Sequence, residues 1–265
     1  MARSTNKTFL YTDRMRWEPL LVKGSTGGRA WIKSLARDPE NGARTCLIKY
    51  DPGFKAPATT PEWPADTYVV EGSMKVGDKQ YKKSTFHYRP LGTQQGPIET
   101  SEGCTRLIFT ADEKNKSSKT EVFLPDTSTM PWGPGYSNID PEGINGGTRV
   151  LRADPDLRLT IVIHTFFIPE RSLVHKGHRH DHTEEAFTLE GEMEDYCGDV
   201  EGHMYWVPGT YICRPPGGSI HGDTNKWKIP VTNIIRRGWV GNIETFHSDE
   251  HNTVEAVQRA STWVE

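Results

Sequence analysis

The chain states one pattern twice, in a fixed order. Leu35-Ala36-Arg37-Asp38-Pro39 returns as Leu151-Arg152-Ala153-Asp154-Pro155, Tyr68-Val69-Val70-Glu71-Gly72 as Phe187-Thr188-Leu189-Glu190-Gly191, and Arg89-Pro90-Leu91-Gly92 as Arg214-Pro215-Pro216-Gly217. A chain that restates its strands and turns in sequence is expected to build the same unit twice. The unit reads as β. With 25 glycines and 18 prolines in 265 residues, few windows can hold a long helix. Aromatic and β-branched runs fall between these breakers, at Thr45–Tyr50, Thr67–Val70, Leu107–Thr110, Leu159–Phe167 and Thr232–Ile235. Many short strands with turns at close spacing make a sandwich or barrel. The expectation is an all-β protein of two tandem barrels, residues 1–111 and 149–265. The join at 112–148 is charged from Asp112 to Lys119 and then rich in breakers (Pro131, Gly133, Pro134, Gly135, Gly146, Gly147), with Trp132 and Tyr136 packed on a domain surface. A short C-terminal helix is expected after a Ser248 cap, with Val254, Val257 and Trp263 on one face.

Charge and hydropathy exclude some partners. The 32 basic and 35 acidic residues nearly balance, which argues against a nucleic-acid or membrane-surface binder. His164 and Thr165 interrupt the longest apolar stretch, Ile161 to Ile168, and Met1 to Phe9 has no apolar signal core, so no membrane span and a cytoplasmic address are expected. The cysteines Cys46, Cys104, Cys197 and Cys213 form no CxxC pair and read as small core residues, not disulfides or ligands.

The second copy carries the chemistry. Gly177-His178-Arg179-His180-Asp181-His182-Thr183-Glu184-Glu185 packs three imidazoles and three carboxylates into nine residues. On a regular strand, residues two apart share a face, so His178, His180 and Glu184 would enter the barrel together. His221, in Pro216-Gly217-Gly218-Ser219-Ile220-His221, would join them from a neighbouring strand. Three imidazoles and one carboxylate suit a first-row divalent ion and leave a position for water, substrate or dioxygen. His182 shares the parity and could replace His180, and Glu185 could replace Glu184, if the strand bulges. Otherwise His182 stands at the mouth, beside the site or simply exposed. His164 reads as a core residue that could line the site; His87, His175, His203, His247 and His251 read as surface or loop groups.

Sliding the first copy under the second from the shared glycine puts Thr59 under His178, Pro61 under His180 and Ala65 under Glu184. Near His221 it offers only Gln95 or Gly96. No ion could be held by that set, so the first barrel is expected to be structural or substrate-shaping.

These residues resemble the cupin superfamily, and both halves are similar to its ChrR-type branch, named for a zinc-binding anti-sigma factor. The resemblance rests on Trp17-Glu18-Pro19, Leu35 to Thr45 and Pro52-Gly53, then on His178 to Glu192 and on Val207 to Tyr211 leading into the Arg214 to His221 run. It implies two tandem jelly-roll barrels and one divalent metal ion, held in the second by His178, His180, Glu184 and His221. The first copy departs from the pattern at every ligand. Relatives with this ligand set include oxygenases of diketones and hydroxy-ketones, isomerases, cyclases, hydroxynitrile lyases and the zinc sensor. The leading expectation is therefore a non-haem Fe(II) dioxygenase acting on a small enolisable ketone, diketone or aromatic substrate. Arg214 would fix a substrate oxyanion, or pair with a loop acid. Phe166, Phe187, Tyr196, Trp206 and Tyr211 are candidate pocket liners, as readily plain core. A redox-silent lyase, isomerase or cyclase is the alternative, with Zn(II), Mn(II) or Ni(II) as Lewis acid and Glu185 or His182 moving a proton. A sensor or ligand-binding module ranks last, because the anti-sigma relatives carry a helical zinc-binding domain and nothing before Trp17 reads as one. Partners are expected to be a small-molecule substrate and a second copy in a homodimer that buries a sheet edge.

Overall fold

The structure, a computed structural model, describes residues 8–111, 118–134, 147–155, 157–166, 173–174, 177–196, 203–217, 224–238 and 243–246. Apart from two single-turn 3-10 segments, Thr12–Arg14 and Thr127–Thr129, every regular element among them is a β-strand. The expected C-terminal helix lies outside the described residues. Among those described, no helix is long and apolar enough to cross a membrane. Two compact units form, and neither is one linear stretch. One holds Thr12–Pro131 and Leu151–Arg158; the other holds Ala2–Tyr11, Trp132–Val150 and Leu159–Glu265.

The sequence repeat becomes a repeat of sheet order. In one sheet the antiparallel strands run Val122–Leu124, Phe86–Arg89, Ala65–Val76, Cys104–Thr110, Arg44–Tyr50, Ala30–Arg37 and Glu18–Leu20. In the other they run Thr8–Tyr11, Thr210–Arg214, Glu184–Tyr196, Thr224–Gly238, Leu159–Phe166, Gly147–Asp154 and Gly133–Pro134. Position by position these are the same strands. At the outer edge the first sheet recruits Val122–Leu124, from within the stretch expected to be a linker, and the second recruits the start of the chain, with Thr8 opposite Cys213. Both are jelly rolls in which a smaller sheet closes the barrel.

The shared glycines explain why the repeat is visible. Gly72 and Gly191 both have positive φ, +73° and +95°. Each sits beside a register shift, where its strand bulges against the neighbouring one. A Cβ at Gly191 would stand 1.9 Å from the Pro230 carbonyl oxygen, and one at Gly72 would stand 2.2 Å from that of Gly103. No other residue fits either place. Asp38 and Asp154 are equally matched. Each is buried and turns a hairpin by accepting from backbone N–H groups just ahead of it, Glu40 and Leu157 respectively.

Register divides the second barrel into two faces. Glu184 lies opposite Arg214 and Arg237, Ala186 opposite Ile212 and Ile235, and Thr188 opposite Asn233 and, through it, His164. These share a face with the apolar core of Val162, Met193, Met204, Trp206 and Val231. Glu185, Phe187, Tyr211, Cys213, Ile234 and Arg236 occupy the other face. In the first barrel His87 is not the surface group expected. It sits in the strand Phe86–Arg89, buried, with Tyr81 on one ring nitrogen and Glu121 on the other at 2.6 Å.

Candidate metal centre

The histidine strand and the glutamate strand are two elements, not one regular strand. Gly177–His180 pairs with Ile243–Phe246, with His180 opposite Ile243. The chain then bends through Asp181–Thr183 and starts a new strand at Glu184, in the main sheet. Parity alone cannot carry a face across such a corner. The corner nevertheless brings His180 and Glu184 together: His180 Nε2 lies 3.6 Å from Glu184 Oε1, and both residues are buried (6% and 7% exposed). The side chain of His178 and all of His221 lie outside the described residues. Among those described, no group of three His, Cys, Asp or Glu side chains is close enough to hold an ion.

The described half of the donor set fits a divalent ion. Two donor atoms at about 2.1 Å from one metal stand about 3.0–3.4 Å apart for octahedral to tetrahedral angles. The observed separation needs an adjustment of only a few tenths of an ångström. Burial, partly opposed by the Glu184 charge, holds His180 below the usual histidine range. The imidazole is thus neutral, the form a metal requires. Glu184 uses its other oxygen for Arg214, whose Nη1 donates to Oε2 at 2.8 Å. One carboxylate oxygen is oriented by the guanidinium while the other faces the imidazole, as an outer partner orients a ligand.

The remaining expected residues separate cleanly. Arg214 is buried, lies 5.6 Å from the Trp206 ring and pairs with Glu184. His182 sits in the bend with its ring 4.9 Å from that of His180. Asp181 Oδ1 meets its Nδ1 at 2.8 Å, and its Nε2 is buried without a hydrogen-bond partner among the described residues. Glu185 is not brought to the site. It is fully buried on the opposite face, accepting from the Tyr211 hydroxyl at 2.7 Å and from Arg236 at 3.1 Å. Among the candidate liners Trp206 shares the Glu184 face and Phe187 and Tyr211 do not, while the side chains of Phe166 and Tyr196 lie outside the described residues. Cys213, opposite Glu185, faces away from the donor pair; like Cys46 and Cys104 it is buried and in no disulfide.

Three inward residues were not singled out from sequence: Arg237, Asn233 and Thr188. Arg237 flanks Glu184 on the side away from Arg214, and burial pushes it down to about 10. The available signal was polar residues at core parity, Asn233 and Arg237 on either side of Ile235. His164, fully buried, also faces inward; burial, against the Glu184 charge, pushes it down to about 3.

Comparison with known proteins agrees with this architecture. Residues 5–113 match the family model of the ChrR cupin-like domain. No curated protein sequence matches the chain. Among solved structures it is similar to a protein from Nostoc punctiforme described as a putative dioxygenase, at 17% identity, TM-score 0.71, 91% of this chain and 86% of that one. It is also similar to protein YlbA from E. coli, at 14% identity, TM-score 0.63, 90% of this chain and 93% of that one. A third similarity is to oxalate decarboxylase from Bacillus subtilis, at 12% identity, TM-score 0.54, 97% of this chain and 83% of that one. At these identities the structures speak to fold alone. The domain match is confined to residues 5–113, and over the whole chain the likeness is one of fold. The family match covers the half without the histidines, so the candidate centre rests on its own geometry.

Proposed function

We propose that the second barrel holds one divalent ion through His178, His180, Glu184 and His221, and that the protein is a metal-dependent enzyme acting on a small enolisable ketone or diketone, with Fe(II) and dioxygen as co-reactants. The observation that carries this reading is the buried His180–Glu184 pair at 3.6 Å, backed by Arg214 at 2.8 Å. The internal repeat supports the undescribed half. In the first barrel Thr59, which aligns with His178, forms an isolated antiparallel bridge with Gln95, next to the position of His221. The same path in the second barrel would lay His178 beside His221. When bound, the ion would polarise substrate oxygens and, if it is iron, bring dioxygen to the same centre.

The chain's own residues favour an anionic substrate. Arg214 and Arg237 flank a single carboxylate on a buried face. With a divalent ion added, the local charge is strongly positive, and an enolate or carboxylate entering there is stabilised. Trp206 and the neighbouring aliphatic residues keep that face dry and strengthen each charge interaction. Metal analysis of protein purified without added metal, followed by oxygen uptake with Fe(II) and a panel of β-diketones and aryl hydroxy-ketones, tests the reading. Iron and uptake are expected; zinc, or no uptake across the panel, removes the dioxygenase assignment.

One observation favours a redox-silent alternative. The Asp181–His182 pair beside His180 is built as a base, with a carboxylate fixing one ring nitrogen and the other buried without a hydrogen-bond partner among the described residues. Turnover without oxygen that is lost in His182→Gln while metal is retained would select this second reading.

A further inference from the structure

The first barrel lacks every expected ligand, yet its interior is not simply apolar. Arg106 lies opposite Ile48 and Val69, on the inward face. It is 5% exposed. Its Nη2 donates to the Tyr50 hydroxyl, and its Nε is buried with no hydrogen-bond partner among the described residues. Arg89, 7% exposed, lies opposite Ala65 on the same face and, among the described residues, donates to the carbonyls of Trp63 and Pro90. Burial and the charge of Arg106 together hold Arg89 below the ordinary arginine value. Among the described residues neither guanidinium meets a carboxylate. Glu121, close to Tyr81 and His87, is engaged by Lys79 and by His87. His87 in turn meets the Tyr81 hydroxyl, which places that phenol beside the two cations.

Alignment of the two barrels shows how the excess arises. Arg214 in the second barrel lies opposite Glu184; Arg89 in the first lies opposite Ala65, the aligned position. The cation is retained and its acid is missing. A second cation, Arg106, is added where the second barrel has Asn233, since Thr188 pairs with Asn233 as Val69 pairs with Arg106. Two buried, like-charged guanidinia without a counter-ion are costly unless something negative enters. The planar fork of a guanidinium matches a carboxylate. The apolar core of this barrel is built of side chains (Val69, Met74, Phe54, Ile98) rather than of the backbone N–H nests that hold phosphate, so the ligand should have an apolar body.

We propose that the interior of the first barrel is a binding site for a small organic monocarboxylate, its carboxylate held by Arg106 and Arg89 and oriented from the side by Tyr50 and Tyr81.

The full chain, stripped of metal, is titrated calorimetrically with benzoate, pyruvate, inorganic phosphate and, as a neutral control, benzyl alcohol. Thermal melting and the arginine Nε–H signals are followed in parallel. Saturable binding of at least one carboxylate is expected, with a raised Tm and a shifted Arg106 Nε–H resonance. Arg106→Met is expected to weaken binding about tenfold or more, the loss of one charge-assisted hydrogen-bonded pair. Should that variant fail to fold, Tyr50→Phe keeps the ring, removes the hydroxyl that orients Arg106, and is expected to weaken binding severalfold. His180→Ala, in the other barrel, is expected to bind the carboxylate as the natural chain does. No binding of either carboxylate at millimolar concentration overturns the proposal. So does phosphate or benzyl alcohol binding as well as the carboxylates. Binding that disappears in His180→Ala but survives in Arg106→Met would assign the ligand to the other barrel and equally overturn it.

Discussion

Replacing Arg214 by leucine tests whether Glu184 is a ligand or only a member of a buried ion pair. The two side chains are 6% and 9% exposed and their atoms are 2.8 Å apart. Removing the guanidinium leaves an acid facing the apolar side of Trp206 and Ile212, with Arg237 as its register neighbour on the other flank. Breaking a buried pair from one side costs about 3–5 kcal/mol. For a chain of this size, that is a fall of roughly 6–20 °C in Tm. An ion bound between His180 and Glu184 changes the outcome, because it supplies the positive charge that the variant lacks. At about a hundredfold excess over Kd a metal contributes about 2.7 kcal/mol to either chain. In the variant it also relieves the stranded carboxylate, so the loss should shrink to about 1–2 kcal/mol, mostly the lost packing of the arginine stem. The assay is melting of both chains with chelator and with saturating Mn(II) or Zn(II), which avoids oxidation. A loss equal in both conditions would refute the reasoning, since an ion that does not touch Glu184 cannot compensate it.

Gly191→Ala places a methyl group against the Pro230 carbonyl at positive φ, and a destabilisation of about 3 kcal/mol or more is expected in urea unfolding; a neutral result would show that the bulge is dispensable. Acid should weaken the metal-free protein: His164, pushed down to about 3, stays neutral when folded while the unfolded chain takes up a proton below the ordinary pKa of about 6.5. Its stability contribution is therefore intact above that pH and lost as pH falls towards 3, at about 1.4 kcal/mol per pH unit, and His164→Leu should flatten the urea-midpoint profile by about one proton. His178→Ala and His221→Ala should abolish stoichiometric metal by elemental analysis, while Thr59→Ala and Pro61→Ala leave it unchanged; metal retained in the His221 variant would undo the ligand set.

Much of the fold was legible because its demands fall on backbone-special positions. Gly72, Gly191, Asp38 and Asp154 recur in sequence because a bulge and a hairpin recur in space. The smaller jelly-roll sheets and the edge strands were not legible. Thr8–Tyr11 and Val122–Leu124 are too short to show a period, and their places are set by partners far along the chain. At the candidate site, the histidine–glutamate spacing pointed to His180 and Glu184, which the structure brings together, but parity misdescribed how they meet. The bend at Asp181–Thr183 interrupts the alternation, and Glu185 turns to the far face with Tyr211 and Arg236. His87 was misread because its acid partner lies 34 residues away, in a stretch that looked like a linker.

The two barrels separate what a duplicated fold fixes from what it leaves free. Bulge glycines, turn aspartates and sheet order are the same in both, because moving any of them would break hydrogen bonds along whole strands. Inward side chains carry no such constraint. At aligned inward positions the second barrel has Glu184, Thr188, Asn233 and His164, where the first has Ala65, Val69, Arg106 and Ile48. Each exchange alters charge or hydrogen bonding without touching the backbone. The second barrel sets an acid between two arginines; the first sets an alanine beside a retained arginine, with a second arginine two strands away on the same face. The same scaffold therefore presents opposite electrostatic interiors, and the difference lies in side chains whose partners are set by register rather than by sequence neighbourhood.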